Sequence, residues 1–194
     1  VTNPAQSMPN ISGLTSKLTE RFVVVSDVYP TVTTDQAAVV LPSALWVEKN
    51  GVFGNSERRT QQWFKMVEPP GDARDDVWQV LAVAHKCFEL GHPGMKNKDG
   101  EFLFTFKGAD GQPLEIWKWE VFKAHNVDRM LFEEYRPFTQ MKKYALAPYD
   151  ELVKARGLRW PVVMDKAGIY RETPRRFIEG EDPFVKPGSA VDFY

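Results

Sequence analysis

The chain has 194 residues, of which 43% are apolar, 13% aromatic and 26% charged, and its formal net charge is −1. This composition is typical of a globular protein and excludes a disordered one, and the near-neutral charge argues against a general nucleic-acid-binding protein. No apolar run approaches the ~18–20 residues of a membrane span, while a single cysteine and three histidines exclude a disulfide framework and argue against a metal site built from this chain alone.

The first part of the chain predicts alternating strands and helices. Residues 3–10 contain two prolines and predict a turn-rich loop, and the β-branched run at 21–25 predicts a buried parallel strand. TTDQAA (33–38) predicts a short helix, and VVLP (39–42) predicts the next buried strand. A strand, a short crossover and a second strand predict an α/β fold with a partial Rossmann-like domain, that is, a doubly wound and mostly parallel sheet.

The pattern changes along the rest of the chain. Residues 50–67 predict a loop or hairpin lying over the end of the sheet. Apolar residues then recur at helical spacing, at Val77, Leu81, Ala84 and Phe88, and predict an amphipathic helix over 77–90. Cys87 lies on the apolar side of that helix, so we expect it to be buried and structural.

These patterns predict three segments. Residues 1–91 are predicted to form the partial Rossmann-like domain, residues 92–156 a mostly helical extension that includes hairpin material, and residues 157–194 a segment of short strands and turns. The chain begins at Val1 directly before an Asn-Pro loop and stops at a strand-like VDFY. We therefore expect it to be an internal fragment of a larger protein.

A long ordered motif carries a family resemblance. SDVYPTVTTDQAAVVLPSALWVEKNGVFGNSERRTQQW (26–63), GLRWPVV (157–163) and DPFVKPG (182–188) resemble the molybdopterin-dependent oxidoreductases, and within them most closely the catalytic subunit of periplasmic nitrate reductase. The similarity spans essentially the whole chain and is loose over 92–145. It implies that the parent is a multidomain protein in which 157–194 lead into a C-terminal barrel.

The resemblance implies a specific role. The parent protein would reduce nitrate to nitrite at a molybdenum bis(molybdopterin guanine dinucleotide) cofactor, would carry a [4Fe–4S] cluster whose ligands lie outside this chain, and would be periplasmic. A c-type cytochrome subunit is the implied electron donor. This chain would bind one guanosine end of the cofactor through Asn3, Ser26, Asp27, Lys49 and Asp76, and would contribute no catalytic residue or metal ligand, so that alone it would be inactive.

The chemistry of these residues suits that role, although each has a plainer alternative. Ser26 and Asp27 follow a predicted parallel strand, where open α/β sheets bind ligands, but they also suit an ordinary strand-ending turn. A carboxylate at Asp76 matches the two N–H donors of a guanine edge, yet it also suits a helix N-terminus, where Asp75 competes for either role. Lys49 could contact pyrophosphate or a guanine oxygen, or be a solvated loop lysine.

Other residues invite similar interpretations. Arg58 and Arg59 could clamp an anion, or brace the surrounding loop through ion pairs. The aromatic cluster of Trp117, Trp119 and Phe122 is more typical of a core than of a stacking platform.

Two alternative functions stay open. The first is another enzyme of the same superfamily, an assimilatory nitrate reductase or a formate dehydrogenase. The second is a stand-alone nucleotide-binding or interaction module, against which the sequence offers no glycine-rich G-x-G-x-x-G phosphate loop.

Overall fold

The structure is a computed structural model, which describes residues 3–8, 11–141 and 145–172. It divides into two compact units. Unit 1 consists of residues 1–50 and 64–127, and unit 2 of residues 51–63 and 128–194. Unit 2 is thus built from two separate stretches of the chain.

The described elements follow one another in a mixed order. The helices are α1 (Pro4–Ser7), α2 (Ile11–Thr19), α3 (Asp76–Glu89), α4 (Trp119–Ala124), α5 (Val127–Met141) and α6 (Tyr149–Ala155). The strands are β1 (Val24–Asp27), β2 (Val39–Pro42), β3 (Gly51–Gly54), β4 (Arg59–Trp63), β5 (Phe106–Lys107), β6 (Pro113–Leu114), β7 (Leu158–Arg159), β8 (Val162–Met164) and β9 (Tyr170–Glu172). Short 3-10 helices lie at Thr34–Gln36, Trp46–Glu48 and Pro93–Met95.

The first two strands of unit 1 pair in parallel, as the sequence predicts. β1 starts three residues later than predicted, so that Ser26 and Asp27 are its last two residues and pair with Leu41 and Pro42 of β2. The crossover between them contains a 3-10 helix over Thr34–Gln36. The described sheet has these two strands only, and the wider Rossmann-like sheet stays a prediction.

The prediction that both strands are buried is wrong for the described structure. Val24 is 49% exposed, Val39 39% and Val40 47%. The reason is physical, because β-branched side chains of a parallel strand become buried only when other elements cover the faces of the sheet. The sequence pattern reports the preference of the strand, whereas burial depends on what packs against it.

Helix α3 confirms the periodicity prediction to within one residue at each end. Its N-cap is Asp75, whose side chain accepts a hydrogen bond from the backbone N–H of Val77 at 2.7 Å. Such a cap satisfies one of the helix's first unpaired N–H groups. Farther along the helix, the imidazole ring of His85 stacks on Trp117 with the ring centroids 4.0 Å apart.

Unit 2 is built on an antiparallel hairpin, one of the two conformations predicted for residues 50–67, and its predicted position over the end of the sheet stays a prediction. β3 pairs with β4, and β7 adds to the other edge of β4. Gly157 precedes β7 with a φ of 105°, and a Cβ there would lie 2.6 Å from Cγ of Gln61, so the close approach of β7 requires glycine. The buried core of the unit comprises Phe132, Ala147, Tyr149, Leu152 and Val162.

The predicted three-segment domain organisation stays a prediction. The segment after residue 91 contains the predicted mixture of helices, α4 to α6, and hairpin, β5–β6. Residues 173–194, which include DPFVKPG, lie outside the described residues. Among the helices that are described, none combines the length and the apolar character needed to cross a membrane.

Candidate functional site

A cleft of about 540 Å³ opens in unit 1 beside the ends of the parallel strands. Ser26 and Leu41 line it from the strands, and one side of α3 forms much of the rest. Its lining is Ser26, Leu41, Asp76, Gln79, Val80, Val83, Ala84, Cys87 and Met95. The cleft is therefore mostly apolar, with polar groups at the strand ends and at the start of the helix, the usual composition of a small-molecule site.

Backbone hydrogen bonds fix the start of α3 against the carboxyl ends of both strands. The Ser43 N–H donates to the carbonyl oxygen of Asp27 at 3.0 Å, and the Arg74 N–H donates to that of Pro42 at 3.0 Å. The Ala44 N–H in turn donates to the carbonyl oxygen of Arg74 at 2.8 Å. Because these bonds extend the strand pairing to the residues before the helix, the N-terminus of α3 and both strand ends face the same place.

Asp76 lies at this junction and both of its carboxylate oxygens are engaged. Oδ1 accepts a hydrogen bond from the hydroxyl of Ser43 at 2.6 Å, and Oδ2 is paired with Nζ of Lys49. Partial burial raises the pKa of the Asp76 carboxyl, but the hydrogen bonds from Lys49 and Ser43 outweigh burial and hold the pKa below its ordinary value. Asp76 is therefore ionised at neutral pH, and its side chain stays partly exposed to the cleft.

The hydroxyl of Ser43 continues the network to Ser26 and Gln79. The hydroxyls of Ser26 and Ser43 are in hydrogen-bond contact, and Ser26 Oγ lies 2.8 Å from Oε1 of Gln79. The amide nitrogen of Gln79 donates to the carbonyl oxygens of Pro42 and Arg74, at 2.9 and 3.3 Å. Those two carbonyls fix which way the amide points, since a flipped amide would set oxygen against oxygen.

This arrangement leaves the network one proton short. Four oxygen atoms, from Asp76, Ser43, Ser26 and Gln79, form a chain with three contacts. Only the two serine hydroxyls carry protons when Asp76 is ionised, because a carboxylate and an amide oxygen accept but do not donate. One of the three contacts therefore has no proton of its own when Asp76 is ionised.

Asp75 and Asp76 divide the two roles for which the sequence left them competing. Asp75 is buried and caps α3, whereas Asp76 faces the cleft. Burial raises the pKa of Asp75 above its ordinary value, and the hydrogen bond from the N–H of Val77 opposes that rise only in part. The structural role thus belongs to Asp75, and the residue available to a ligand is Asp76.

Asp27 closes the turn that follows β1. Its Oδ1 accepts hydrogen bonds from the backbone N–H groups of Val28 at 2.7 Å and Tyr29 at 3.3 Å. Its other carboxylate oxygen accepts no hydrogen bond from the part of the chain that the structure describes. Asp27 is buried, so it serves the strand-ending turn while one oxygen keeps its capacity to accept.

Asn3 is not brought into this network. Its amide nitrogen donates to Oε1 of Gln6 at 2.8 Å, and its amide oxygen is hydrogen-bonded to the hydroxyl of Thr33. Thr33 also accepts a hydrogen bond from the backbone N–H of Ala5 at 3.1 Å. The described contacts of Asn3 therefore tie α1 to the start of the crossover.

Two residues of the network are absent from the sequence-based prediction. Ser43 directly follows β2, just as Ser26 and Asp27 end β1, so the same rule applied to the second strand would have found it. Gln79 lies one turn beyond Asp75 and is a buried polar residue within an otherwise apolar helix face. Cys87, which the sequence predicts to be buried, is only half-buried and lines the cleft.

The arginine pair and the aromatic cluster lie elsewhere. In unit 2, Arg59 donates to Oε1 of Glu172 at 2.9 Å, which is the bracing role, while Arg58 lies over Trp160. In unit 1, Phe122 is buried and stacks on Trp119, as expected of core residues. The described residues contain no group of three or more His, Cys, Asp or Glu side chains that could hold a metal ion.

The match to known families falls on the segment that builds this cleft. Residues 1–86 match the molybdopterin oxidoreductase family model. The matched segment contains the strand ends, Lys49, and the helix start with Asp76 and Gln79. The family is described as molybdopterin oxidoreductase, and the match covers 86 of the 194 residues.

The residues present fit the organic part of a molybdopterin cofactor. They supply a half-exposed carboxylate, a lysine ammonium, serine hydroxyls and an amide, which are groups that bind the polar edges of rings and sugars. When bound, the cofactor would supply the redox chemistry, while these side chains bind and orient it.

Proposed function

We propose that this chain forms part of the guanosine-binding site for a molybdenum bis(molybdopterin guanine dinucleotide) cofactor in a nitrate reductase catalytic subunit. The observation that carries the proposal is the junction of Asp76, Lys49, Ser43, Ser26 and Gln79 at the ends of β1 and β2. The Asp76 carboxylate is ionised, is paired with Lys49, and faces an apolar cleft in which a planar ring system can pack.

Guanine matches the site through its donors. Its Watson–Crick edge carries two neighbouring N–H donors, and a carboxylate accepts both at once. The oxygens of Asp76 accept from Ser43 and Lys49 and keep further lone pairs for such an edge, because each carboxylate oxygen accepts more than one hydrogen bond.

Adenine would bind less well at the same place. Its corresponding edge presents an acceptor where guanine presents a donor, so an ionised carboxylate would face a lone pair. Lys49 supports this selectivity indirectly, because its pairing with Asp76 favours the ionised carboxylate. Asp27 and Asn3 belong to the proposal through the family resemblance, and their described contacts place them in the strand-ending turn and against Thr33.

The wider assignment rests on the sequence resemblance. We propose nitrate as the substrate, a [4Fe–4S] cluster held elsewhere in the protein, a c-type cytochrome as the electron donor and a periplasmic location. We also propose that β1 and β2 belong to a larger doubly wound, mostly parallel sheet, since their exposed valines are the residues that further strands and helices would cover. This chain would orient the cofactor without contributing a catalytic residue.

The test is the nucleotide content of the complete enzyme. Asp76→Asn should lower the amount of GMP released from the purified protein by acid hydrolysis, because the neutral amide presents a donor to one of guanine's own donors. Asp72→Asn is the matched control, since its side chain is 97% exposed and four residues away. Equal GMP release from both variants would contradict the proposal, and nitrate and formate assays of the wild-type enzyme would separate the two substrate assignments.

A further inference from the structure

Unit 2 contains a second cavity of about 460 Å³, separate from the cleft of unit 1. The β3–β4 hairpin lines one side, α5 lines another, and two further residues complete the wall. Its lining is Val52, Gly54, Thr60, Phe132, Tyr135, Thr139, Leu146 and Trp160. The volume falls in the range of small-molecule sites, and three aromatic side chains contribute to the walls.

The hairpin and the helix present one face each to this cavity. Val52, Gly54 and Thr60 share a face of the hairpin, because Gly54 pairs with Thr60 and lies two residues from Val52. On α5, Phe132, Tyr135 and Thr139 are spaced three and four residues apart, so they lie along one stripe of the helix. The cavity is therefore the space between two regular elements.

One polar group in the wall has no partner within the described residues. Thr60 is only 5% exposed, and its hydroxyl makes no hydrogen bond to the described part of the chain. The other threonine differs, since the hydroxyl of Thr139 donates to the carbonyl oxygen of Arg136 at 2.7 Å and accepts from the N–H of Leu146 at 3.2 Å. The hydroxyl of Thr60 therefore lies in the cavity wall with a donor and an acceptor available to a group that enters.

A positive charge lies next to the same wall. The guanidinium of Arg58 sits over the ring of Trp160, 6.0 Å from its centroid, and pairs with no carboxylate among the described residues. The neighbouring arginines differ, because Arg59 and Arg159 both pair with Glu172 at 2.9 Å. Only Arg58 of these three is left uncompensated within the described structure.

The backbone holds Arg58 in this place. Its φ is 63°, a left-handed conformation that a residue with a side chain adopts at some cost. Its N–H donates to the carbonyl oxygen of Asn55 at 2.9 Å, and its own carbonyl oxygen accepts from the N–H of Trp160 at 2.9 Å. The strained residue and the aromatic wall are thus joined directly.

We propose that this cavity binds a planar aromatic small molecule that carries an anionic group. The ring packs among Phe132, Tyr135 and Trp160, the anion pairs with Arg58, and the ligand accepts a hydrogen bond from the hydroxyl of Thr60. The site lies in unit 2 and uses none of the residues assigned to the cofactor, so it does not depend on the proposed function.

The test compares two probes that share a ring but differ in charge. Binding of 2-naphthoate and of neutral 2-naphthylmethanol to the full 194-residue chain is measured by isothermal titration calorimetry. We expect 2-naphthoate to bind about tenfold more tightly, the factor that a charged hydrogen bond adds. Equal affinities, or no binding of 2-naphthoate at millimolar concentration, would overturn the proposal.

Two variants locate the binding. Gly54→Leu should abolish it and Gly54→Ala should weaken it, because a Cβ at Gly54 meets no atom within 4 Å and the larger side chain takes up the ligand's space. Arg58→Gln should reduce the affinity for 2-naphthoate to that for 2-naphthylmethanol. Arg156→Gln is the matched control, since Arg156 also has a left-handed φ, of 57°, and is exposed.

Only variants that are folded give affinities that can be compared with that of the wild type. A cooperative thermal melt of each variant establishes that it is folded before its affinity is compared. If folded Gly54→Leu binds 2-naphthoate as the wild type does, the ligand is not in this cavity and the proposal fails. If Arg58→Gln and Arg156→Gln lower the affinity equally, the role of Arg58 is refuted.

Discussion

The sheets of the two units have different surroundings. Unit 2 encloses an apolar cluster in which Leu152 is completely buried, and its three-stranded sheet is held by paired charges. Unit 1 also buries apolar residues, among them Ile116, but its parallel strands end in buried polar side chains, while Val24 and Val40 of those strands are about half exposed. The comparison teaches that the sheet of unit 2 is organised around packing, whereas the parallel strands of unit 1 bring polar groups together at their ends.

The largest effect should come from the apolar cluster of unit 2. Leu152→Ala removes a side chain that is 0% exposed, and we expect a loss of about 2–5 kcal/mol in unfolding free energy. Leu90→Ala is the matched control, because Leu90 is 78% exposed and should change the free energy by less than about 0.5 kcal/mol. Urea denaturation measures both, and equal losses would break the contrast between a packed core and an exposed surface.

A second large effect should come from the charges that join β4, β7 and β9. Glu172 accepts hydrogen bonds from Arg59 at 2.9 Å and from the backbone and side chain of Arg159 at 2.8 to 3.0 Å. Glu172→Gln removes the charge that both arginines share, at an expected cost of about 1–3 kcal/mol. Glu68→Gln, at an exposed pair with Lys65, should cost almost nothing.

The contribution of Glu172 to the free energy of unfolding should also depend on pH in a defined direction. Burial raises its pKa, but the hydrogen bonds from Arg159 and the charge of Arg59 outweigh burial, so the folded pKa lies below 4.5. Its contribution is therefore complete above pH 4.5 and is lost as the pH falls through the folded pKa. Acid titration of the unfolding free energy should show a smaller loss below pH 4.5 in Glu172→Gln, and parallel curves would refute the pairing.

The shortage of one proton in unit 1 predicts that two neighbouring serines behave differently. Ser26→Ala leaves the buried Oε1 of Gln79 without a donor, at an expected cost of about 1–2 kcal/mol. Ser43→Ala frees Ser26 to donate to Gln79 and leaves only the half-exposed Asp76 to accept from water, so the cost should stay below about 1 kcal/mol. Similar losses in urea denaturation would contradict the proton count.

The smallest effect should come from the helix cap. The pKa of Asp75 is raised by burial, so its favourable contribution is present below pH 3.8 and is lost as the pH rises through the folded pKa. Asp75→Asn keeps a capping oxygen but cannot ionise, and should therefore gain stability relative to the wild type as the pH rises. Asp75→Ala removes the cap and should lose about 1 kcal/mol below pH 3.8 and less as the pH rises, as thermal melts at several pH values would measure.

Local signals predicted the parts of the fold that depend on neighbouring residues. The apolar spacing over 77–90 predicts α3, and the glycines around residues 51–54 agree with the β3–β4 hairpin. The start of β1 and its burial could not be predicted in the same way, because pairing with β2 sets the first and covering elements set the second. A strand pattern describes what a strand can bury, and not what covers it.

The candidate site shows the same limit. Ser26 and Asp27 could be proposed because strand ends carry ligand-binding groups in α/β folds, whereas Asp76 is assigned through the family resemblance. Ser43 and Gln79 could not be weighed without the network, since their role depends on which atoms each hydroxyl and amide reaches. Asn3 could be named only through the family resemblance, and the contacts of its side chain with Gln6 and Thr33 follow from how α1 packs.

The most direct measurement is the thermal melt of the 194-residue chain with GDP, with ADP and without nucleotide, in the wild type, Asp76→Asn and Asp72→Asn. A ligand that binds only the folded state raises stability, by about 2.7 kcal/mol at one hundred times its Kd. We predict that GDP raises the Tm of the wild type and of Asp72→Asn, that ADP does so much less, and that Asp76→Asn loses the response to GDP. Equal shifts with GDP and ADP, or an Asp76→Asn variant that responds to GDP as the wild type does, would contradict the assignment of this cleft to guanosine.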